Sequence, residues 1–252
     1  MSDWNSELYL RFKQQRTQPA IDLASRLNGC HPVKVADIGC GPGNSTAILR
    51  SFFAESEIVG IDSSPNMIEK ASVEHPELSF RLCDIHELQN GYDLLFSNAC
   101  LQWIPNHKAL LPELMSRLNP GGTLAVQVPC NAQEPLYRII GEVAGESKWG
   151  LENIVLEPND VLTSEEYYDI LSGCSASFDL WETVYYHALP SHQALVDWVK
   201  GTRLRPYLNL LGEKQAALFE SEILTRTANA YSTMKNGSVI LRFKRLFFTA
   251  RA

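Results

Sequence analysis

An alternation of short apolar runs with helix-like segments over residues 33–128 is the feature that most constrains the fold. The apolar runs lie at 33–38, 57–61, 78–83, 93–97 and 124–128, and helical patterns lie among them at 44–53, 64–72 and 108–118. Strands and helices that alternate at this spacing predict βαβ units and a parallel sheet that is buried on both faces. We expect Asn44 or Ser45 to cap the first helix, Pro65 to begin the second, and residues 119–122 to form the turn into the fifth strand.

The segments on either side of this core have other patterns. Residues 1–30 predict a polar, amphipathic helix. The later patterns predict helices at 133–144, 164–172, 191–200 and 213–231, and strands at 177–189 and 238–249. The length suits one domain, 1–252. We divide it into a helical lid (1–30), a core (31–132), a helical insertion (133–176) and the last two strands (177–252), which enclose a helical cap at about 190–236.

Charge and cysteine patterns exclude several functional classes. The chain has 22 Lys and Arg against 29 Asp and Glu, a net charge of −7, which argues against a dedicated nucleic-acid binder. It has no apolar run long enough to span a membrane and no secretory signal, so we expect a cytoplasmic chain without a membrane partner. Six scattered cysteines and six scattered histidines predict buried thiols and no metal site.

A glycine-rich loop closes the first predicted strand, in the segment Asp37-Ile38-Gly39-Cys40-Gly41-Pro42-Gly43. The dinucleotide fingerprint G-x-G-x-x-G fails in both frames, since Asn44 or Thr46 occupies the last glycine position, and no phosphate-binding Gly-Lys-Ser/Thr follows. The remaining pattern, D-x-G-x-G-x-G, resembles the signature of class I methyltransferases, which use S-adenosylmethionine. The resemblance implies cofactor contacts at Asp37, Gly39, Cys40, Gly41 and Gly43; the alternative is a glycine-rich turn without a ligand.

Acidic residues at the ends of the next two strands support this interpretation. Asp62 ends the second run and can accept hydrogen bonds from both ribose hydroxyls of a nucleoside, although an acid there could also simply favour a helix N-terminus. Asp84 ends the third run and can accept from an adenine amino group, or it can be a solvated loop acid. The resemblance adds Ser63, Ile85 and Asn98 to the candidate cofactor residues.

A closer resemblance covers nearly the whole chain. Segments at 2–5, 60–65, 101–105, 124–127, 167–171, 185–187, 190–199 and 204–206 are similar to the trans-aconitate 2-methyltransferases. This implies a Rossmann-like fold, with a seven-stranded, mostly parallel sheet, helices on both faces, an antiparallel last strand and helical insertions that cap the active site. It also implies methyl transfer to a carboxylate of trans-aconitate, which yields S-adenosylhomocysteine. Departures from the family pattern at Gln18, Cys130, Lys200, Arg203, Arg242 and Lys244 bear on which acid is used.

A carboxylate nucleophile needs no catalytic base, because it is already ionised at neutral pH. We therefore expect no catalytic residue, only proximity and alignment, with an arginine clamp for the carboxylates that do not react. The candidate substrate residues are Arg203 and Arg205 for the clamp, Arg11 and Arg16 for a lid, Trp103 as a wall and Tyr9 as a gate. Solvated helix charges and ordinary core packing are the alternatives for these residues.

Three other functions are compatible with parts of the pattern. A methyltransferase for another small acid or for a carrier-bound malonyl group would share every cofactor residue. A non-catalytic module that binds adenosylmethionine would lack a basic pocket beside the methyl position. A nicotinamide oxidoreductase is disfavoured by the broken fingerprint. We expect a small polycarboxylate as the partner, and a monomer or a small homo-oligomer.

Overall fold

The computed structural model describes residues 13–151, 154 and 161–252, with side chains from residue 17 onward. Tyr9, Arg11 and the side chain of Arg16 lie outside this description. Of the predicted lid, the structure describes one helix, α1 (Lys13–Ser25). No helix in the described part of the chain is long and apolar enough to cross a membrane.

Seven strands form one sheet. They are β1 (Lys34–Ile38), β2 (Glu57–Asp62), β3 (Ser79–Leu82), β4 (Tyr92–Asn98), β5 (Leu118–Pro129), β6 (Ser177–Leu189) and β7 (Val239–Arg251), in the order β3-β2-β1-β4-β5-β7-β6. The first five pair in parallel, and β7 runs antiparallel to β5. The predicted mostly parallel sheet with an antiparallel last strand is confirmed. The strand order reverses at β1 and β4, and a crevice at such a point is where open α/β sheets bind ligands.

Helices connect the strands at the predicted places. They are α2 (Asn44–Phe52), α3 (Pro65–Glu74), α4 (His107–Ser116), α5 (Pro135–Ala144), α6 (Ser164–Cys174), α7 (His192–Lys200), α8 (Arg205–Leu208) and α9 (Glu213–Ala230). Pro65 begins α3, as predicted, because the first helical position needs no amide hydrogen. Helices α7, α8 and α9 lie between β6 and β7 in the chain, which confirms the predicted helical segment there.

Two local predictions were wrong. The residue that caps α2 is Gly43, in a left-handed conformation, and neither Asn44 nor Ser45 makes the capping side-chain hydrogen bond. The predicted turn at 119–122 lies inside β5, where Leu118 pairs with Tyr92 and Thr123 with Leu94. The four intervening residues therefore form a bulge, since only one residue of β4 stands opposite them.

The chain divides into two compact units. The larger contains Gln14–Pro129, Pro158–Thr183 and Arg245–Ala252, and so includes β1 to β5. The smaller includes the described parts of Cys130–Glu157 and Val184–Lys244. Its core is an apolar cluster to which α5, α7 and α9 each contribute one face. On α5, this face includes Leu136, Ile140 and Val143.

The N-terminus of α5 in the smaller unit depends on a tyrosine hydroxyl. Tyr231 follows α9, and its hydroxyl accepts a hydrogen bond from the Leu136 amide at 3.0 Å and donates to Glu134 Oε1 at 2.9 Å. The Leu136 amide belongs to the first turn of α5, where it has no partner within the helix. Tyr231 therefore supplies the hydrogen bond that a capping side chain would otherwise make.

We predict that Tyr231→Phe lowers the free energy of unfolding by about 1–3 kcal/mol, because a buried amide loses its acceptor. Urea unfolding of the purified protein measures the change. The control is Tyr186→Phe, at a tyrosine that is 65% exposed, which should change stability by less than about 0.5 kcal/mol. Equal stability of the two variants would contradict the assigned role.

Candidate functional site

The glycine loop after β1 is held by the end of β2. The Ile61 carbonyl accepts hydrogen bonds from the amides of Gly39 and Cys40, at 2.8 and 2.9 Å. The Asp62 carboxylate continues this attachment, since Oδ2 accepts from the Gly41 amide at 3.0 Å and Oδ1 from the Ser64 amide at 2.9 Å. Hydrogen bonds within the protein therefore hold the loop in this conformation.

The backbone of the loop requires glycine. Gly39, Gly41 and Gly43 have φ values of 69°, 53° and 89°, a region that other residues rarely adopt. A Cβ on Gly39 would lie 2.1 Å from the Cys100 sulfur, so a close approach is needed there as well. A Cβ on Gly41 would meet no described atom within 4 Å, so the backbone at Gly41 borders open space.

Asp37 lies beneath this loop and is fully buried. Its Oδ2 accepts hydrogen bonds from the hydroxyls of Ser45 and Thr46, each at 2.6 Å, while Oδ1 has no hydrogen-bond partner among the described residues. Burial raises the pKa of Asp37 to about 6, the two hydroxyls oppose this, and the nearby Asp62 charge adds to it. The carboxylate therefore joins β1 to the first turn of α2, a role that the sequence did not suggest for Ser45 and Thr46.

Two thiols flank Gly39, and both are protonated. Burial raises the pKa of Cys100 to about 12 and raises the pKa of Cys40 well above its usual value, and the charges of Asp37 and Asp62 act in the same direction. All six cysteines are free thiols. Cys40 and Cys100 are therefore packing groups of the loop and not nucleophiles.

The remaining predicted cofactor residues lie at the carboxyl ends of β2, β3 and β4. Ser63 is exposed and follows Asp62, while Asp84 is exposed and caps its own turn by accepting from the His86 amide at 2.9 Å. Ile85 is 8% exposed. Asn98 ends β4, and its buried Oδ1 lacks a hydrogen-bond partner in the described part of the chain.

The loop after β4 carries a strained residue and its support. Ala99 has a φ of 55°, and the Gln102 side-chain amide donates to its carbonyl at 2.8 Å. Gln102 is 5% exposed, whereas Trp103 beside it is 48% exposed, so the core-packing alternative for Trp103 was wrong. The exposed indole remains available to a ligand.

A buried histidine, to which the sequence gave no role, fixes the same loop. His107 Nε2 lies 2.8 Å from the Leu101 carbonyl oxygen, and Nδ1 lies 2.6 Å from the Tyr167 hydroxyl. A carbonyl only accepts, so Nε2 donates to Leu101, while Nδ1 is hydrogen-bonded to the Tyr167 hydroxyl. His107 is 1% exposed, and its imidazole links the loop to α4 and α6.

The predicted clamp residues lie in the smaller unit. Arg203 is half-buried, and its buried Nε has no hydrogen-bond partner among the described residues. Arg205 begins the short helix α8 and is also half-buried. Lys200 is paired instead with Glu220, at 2.6 Å, and Gln18 donates to Asp22 at 2.7 Å. These last two departures from the family pattern therefore have local partners.

The residues at the ends of β1, β2 and β4 fit a nucleoside cofactor with an amino-acid tail. The backbone at Gly41 is open to close approach, the Asp62 oxygens keep lone pairs beyond the two amide hydrogen bonds, and Asn98 offers a buried acceptor without a partner. No group of three or more potential metal-ligating side chains occurs in the described part of the chain.

Comparison with known proteins gives the family. A methyltransferase domain model matches residues 32–173. The trans-aconitate 2-methyltransferase of Escherichia coli is 44% identical over 256 residues, with 100% of this chain and 99% of that protein covered. That of Shigella flexneri is 45% identical over 253 residues, with the same coverage. The chain belongs to the trans-aconitate 2-methyltransferase family.

Solved structures of lower identity show the same fold. The YcgJ protein of Bacillus subtilis aligns over 93% of this chain and 98% of its own, with a TM-score of 0.59 and 13% identity. A methyltransferase structure from Bacillus halodurans aligns with the same coverage, a TM-score of 0.60 and 12% identity. Membership of the trans-aconitate 2-methyltransferase family confirms the predicted enzyme class, a methyltransferase that uses S-adenosylmethionine.

The raised pKa of Asp37 predicts a pH-dependent stability. A carboxyl whose pKa is higher in the folded than in the unfolded chain favours folding while it is protonated, and this contribution is lost as the pH rises from about 4 through 6. From pH 4.5 to 7.5, the free energy of unfolding of the protein should therefore fall by about 2 kcal/mol relative to that of Asp37→Asn. Urea unfolding at several pH values measures this difference, and parallel pH curves would show that Asp37 titrates normally.

Proposed function

We propose that this protein transfers a methyl group from S-adenosylmethionine to a carboxylate of a small polycarboxylic acid, trans-aconitate above all. The observation that carries this proposal is the identity of 44–45% with trans-aconitate 2-methyltransferases over the whole chain, which includes the segments outside the cofactor core. The core pattern alone does not indicate the methyl acceptor, because the residues around the glycine loop are proposed to bind the cofactor.

In this proposal the cofactor residues are those at the carboxyl ends of the strands. The loop from Gly39 to Gly43 takes the methionine tail, Asp62 accepts from the ribose hydroxyls, and Asp84 accepts from the adenine amino group. Ser63, Ile85, Asn98, Asp37 and Cys40 complete the proposed set. The bound cofactor supplies the methyl group on a positively charged sulfur.

The chain's own part in the reaction is to bind and align. A carboxylate is ionised at neutral pH, so no side chain has to remove a proton from it. The residues must hold the attacking oxygen close to the methyl and on its axis. His107 fits this base-free mechanism, because both of its ring nitrogens are engaged in hydrogen bonds within the protein.

We propose Arg203 and Arg205 as the clamp for the carboxylates that do not react. The buried Nε of Arg203 lacks a partner among the described residues, and a guanidinium with an unused N–H group is suited to a bidentate carboxylate. Trp103, an exposed residue in the loop after β4, is the proposed wall. Tyr9, Arg11 and Arg16 remain predictions from the sequence.

A methyl-transfer screen tests the proposed function. The purified protein is incubated with S-adenosylmethionine labelled at the methyl group and with a panel of di- and tricarboxylic acids, and mass spectrometry detects the esters. We expect trans-aconitate to be the preferred acceptor. Preference for another small acid or for a carrier-bound malonyl group would favour the first alternative, and cofactor binding without transfer to any acid would favour a binding module.

We predict that Asp62→Ala weakens cofactor binding at least tenfold, because the ribose hydroxyls lose a charged acceptor, worth about 1.5–3 kcal/mol for one hydrogen bond. Calorimetry with S-adenosylhomocysteine measures the affinity, and circular dichroism establishes that the variant is folded. Glu69→Ala is the control, since Glu69 is an exposed acid on α3. Unchanged affinity in folded Asp62→Ala would remove Asp62 from the site.

We predict that Arg203→Ala raises KM for the acid at least tenfold, about 1.4 kcal/mol, without weakening cofactor binding. Arg203→Lys should recover only part of this loss, because an ammonium lacks the planar fork of a guanidinium. The matched control is Arg138→Ala, at an exposed arginine of the same unit. Steady-state kinetics identical to those of the unsubstituted protein would transfer the clamp role to Arg205.

A further inference from the structure

A buried glutamine, Gln127, lies near the carboxyl end of β5 and has no role in the cofactor site proposed above. Gln127 is fully buried, and its backbone carbonyl accepts a hydrogen bond from the Ala99 amide at 2.9 Å. Its side-chain Oε1 accepts from Nη1 of Arg245, on β7, also at 2.9 Å. Arg245 is only 4% exposed, which is unusual for a charged side chain.

The arginine determines which way the glutamine amide faces. A guanidinium has donors and no acceptor, so the atom of Gln127 that meets Arg245 has to be the carbonyl oxygen. The Nε2 group therefore lies on the opposite side of the amide. It is buried and has no hydrogen-bond partner in the described part of the chain. A buried N–H donor without an acceptor is unfavourable, and a ligand with an acceptor at that position would relieve the cost.

The amide lies near the edge of the sheet at which open α/β sheets bind ligands. Gln127 pairs in register with Asn98, the last residue of β4, and the side chains of paired residues in parallel strands lie on the same face of the sheet. Asn98 has its own buried oxygen without a partner. The carboxyl end of β4 is also where the strand order reverses, next to the glycine loop after β1.

The hydrogen bond from Arg245 favours a strong acceptor at the other side of the amide. The guanidinium donates to the Gln127 carbonyl oxygen, which polarises the amide and strengthens Nε2 as a donor. Hydrogen bonds to an ionised acceptor are roughly twice as strong as those between neutral groups. A carboxylate oxygen is therefore the favoured acceptor for Nε2.

We propose that Gln127 is a specificity-determining residue that donates from Nε2 to a carboxylate of the acid substrate, with Arg245 as the positioning residue that fixes the amide. The inference rests on the proposed function, because it assigns the carboxylate to the substrate of that reaction. The methionine tail of the cofactor carries a carboxylate as well, so the experiment separates the two sources.

The sharpest variant is Gln127→Glu, which keeps an acceptor for Arg245 and replaces the donor by an acceptor. Calorimetry follows the binding of trans-aconitate to protein saturated with S-adenosylhomocysteine, whose neutral sulfur avoids any effect of the new charge on a sulfonium. We expect acid binding at least thirtyfold weaker and S-adenosylhomocysteine binding within threefold of normal. The charge-matched control is Gln89→Glu, at an exposed glutamine, which should change neither affinity.

A substrate analogue provides a readout that a purely structural role would not move. The analogue is the acid with one carboxyl group replaced by an amide, whose N–H group can donate to the new carboxylate of Gln127→Glu. The unsubstituted protein should bind the acid more tightly than this analogue, and Gln127→Glu should bind the analogue more tightly than the acid. If Gln127→Glu does not fold, Arg245→Lys tests the same contact, with acid binding reduced at least fivefold and cofactor binding retained.

Three results would overturn the proposal. They are unchanged acid affinity in folded Gln127→Glu, weakened S-adenosylhomocysteine binding with normal acid binding, and no acid binding to the unsubstituted protein. The proposed function is tested separately by methyl transfer. Acid binding that depends on Gln127 would support the inference even if the transferred methyl were found on another acceptor.

Discussion

The Asp62 carboxylate accepts the amide hydrogens of Gly41 and Ser64, and thereby joins the loop after β1 to the turn after β2. The Ile61 carbonyl accepts from two further amides of the loop. Together these acceptors fix a backbone with left-handed glycines at three alternate positions, which would otherwise have great conformational freedom. A loop that internal hydrogen bonds already hold loses little conformational entropy when a ligand binds. The affinity for the proposed cofactor would therefore depend on the packing of β1 against β2 as well as on direct contacts.

Much of the fold could be predicted because its signals are local. The apolar runs and helical patterns placed the strands of the core within a residue or two, apart from the early start of β5, and β6 was predicted with its observed bounds, Ser177–Leu189. The glycine loop and the strand-end acids were found because strand ends in a parallel sheet meet at one edge. The cap of α2 was missed, since Gly43 serves there through its φ of 89° and not through a side-chain hydrogen bond.

The rest of the candidate site depends on contacts between residues far apart in the sequence. His107 meets Tyr167 across 60 positions, and Gln127 meets Arg245 across 118. A histidine in an apolar segment, or a glutamine within a strand, carries no sign of such a partner until the chain is folded. Arg245 was overlooked for the same reason. In the run Arg242-Phe243-Lys244-Arg245 its sequence context resembles that of an exposed charge, although its side chain is only 4% exposed.

The acids of the candidate site lie on one side of β4, and the buried amide lies on the other. Asp37 and Asp62 lie on β1 and β2, where their charges disfavour the ionisation of the neighbouring thiols, whereas Gln127 and Arg245 lie on β5 and β7. In the proposed reaction, a sulfonium is favoured beside the acids, and a carboxylate can accept from the polarised amide of Gln127. Because that carboxylate is already ionised, the alignment of the two reactants is the remaining requirement, and no base is needed.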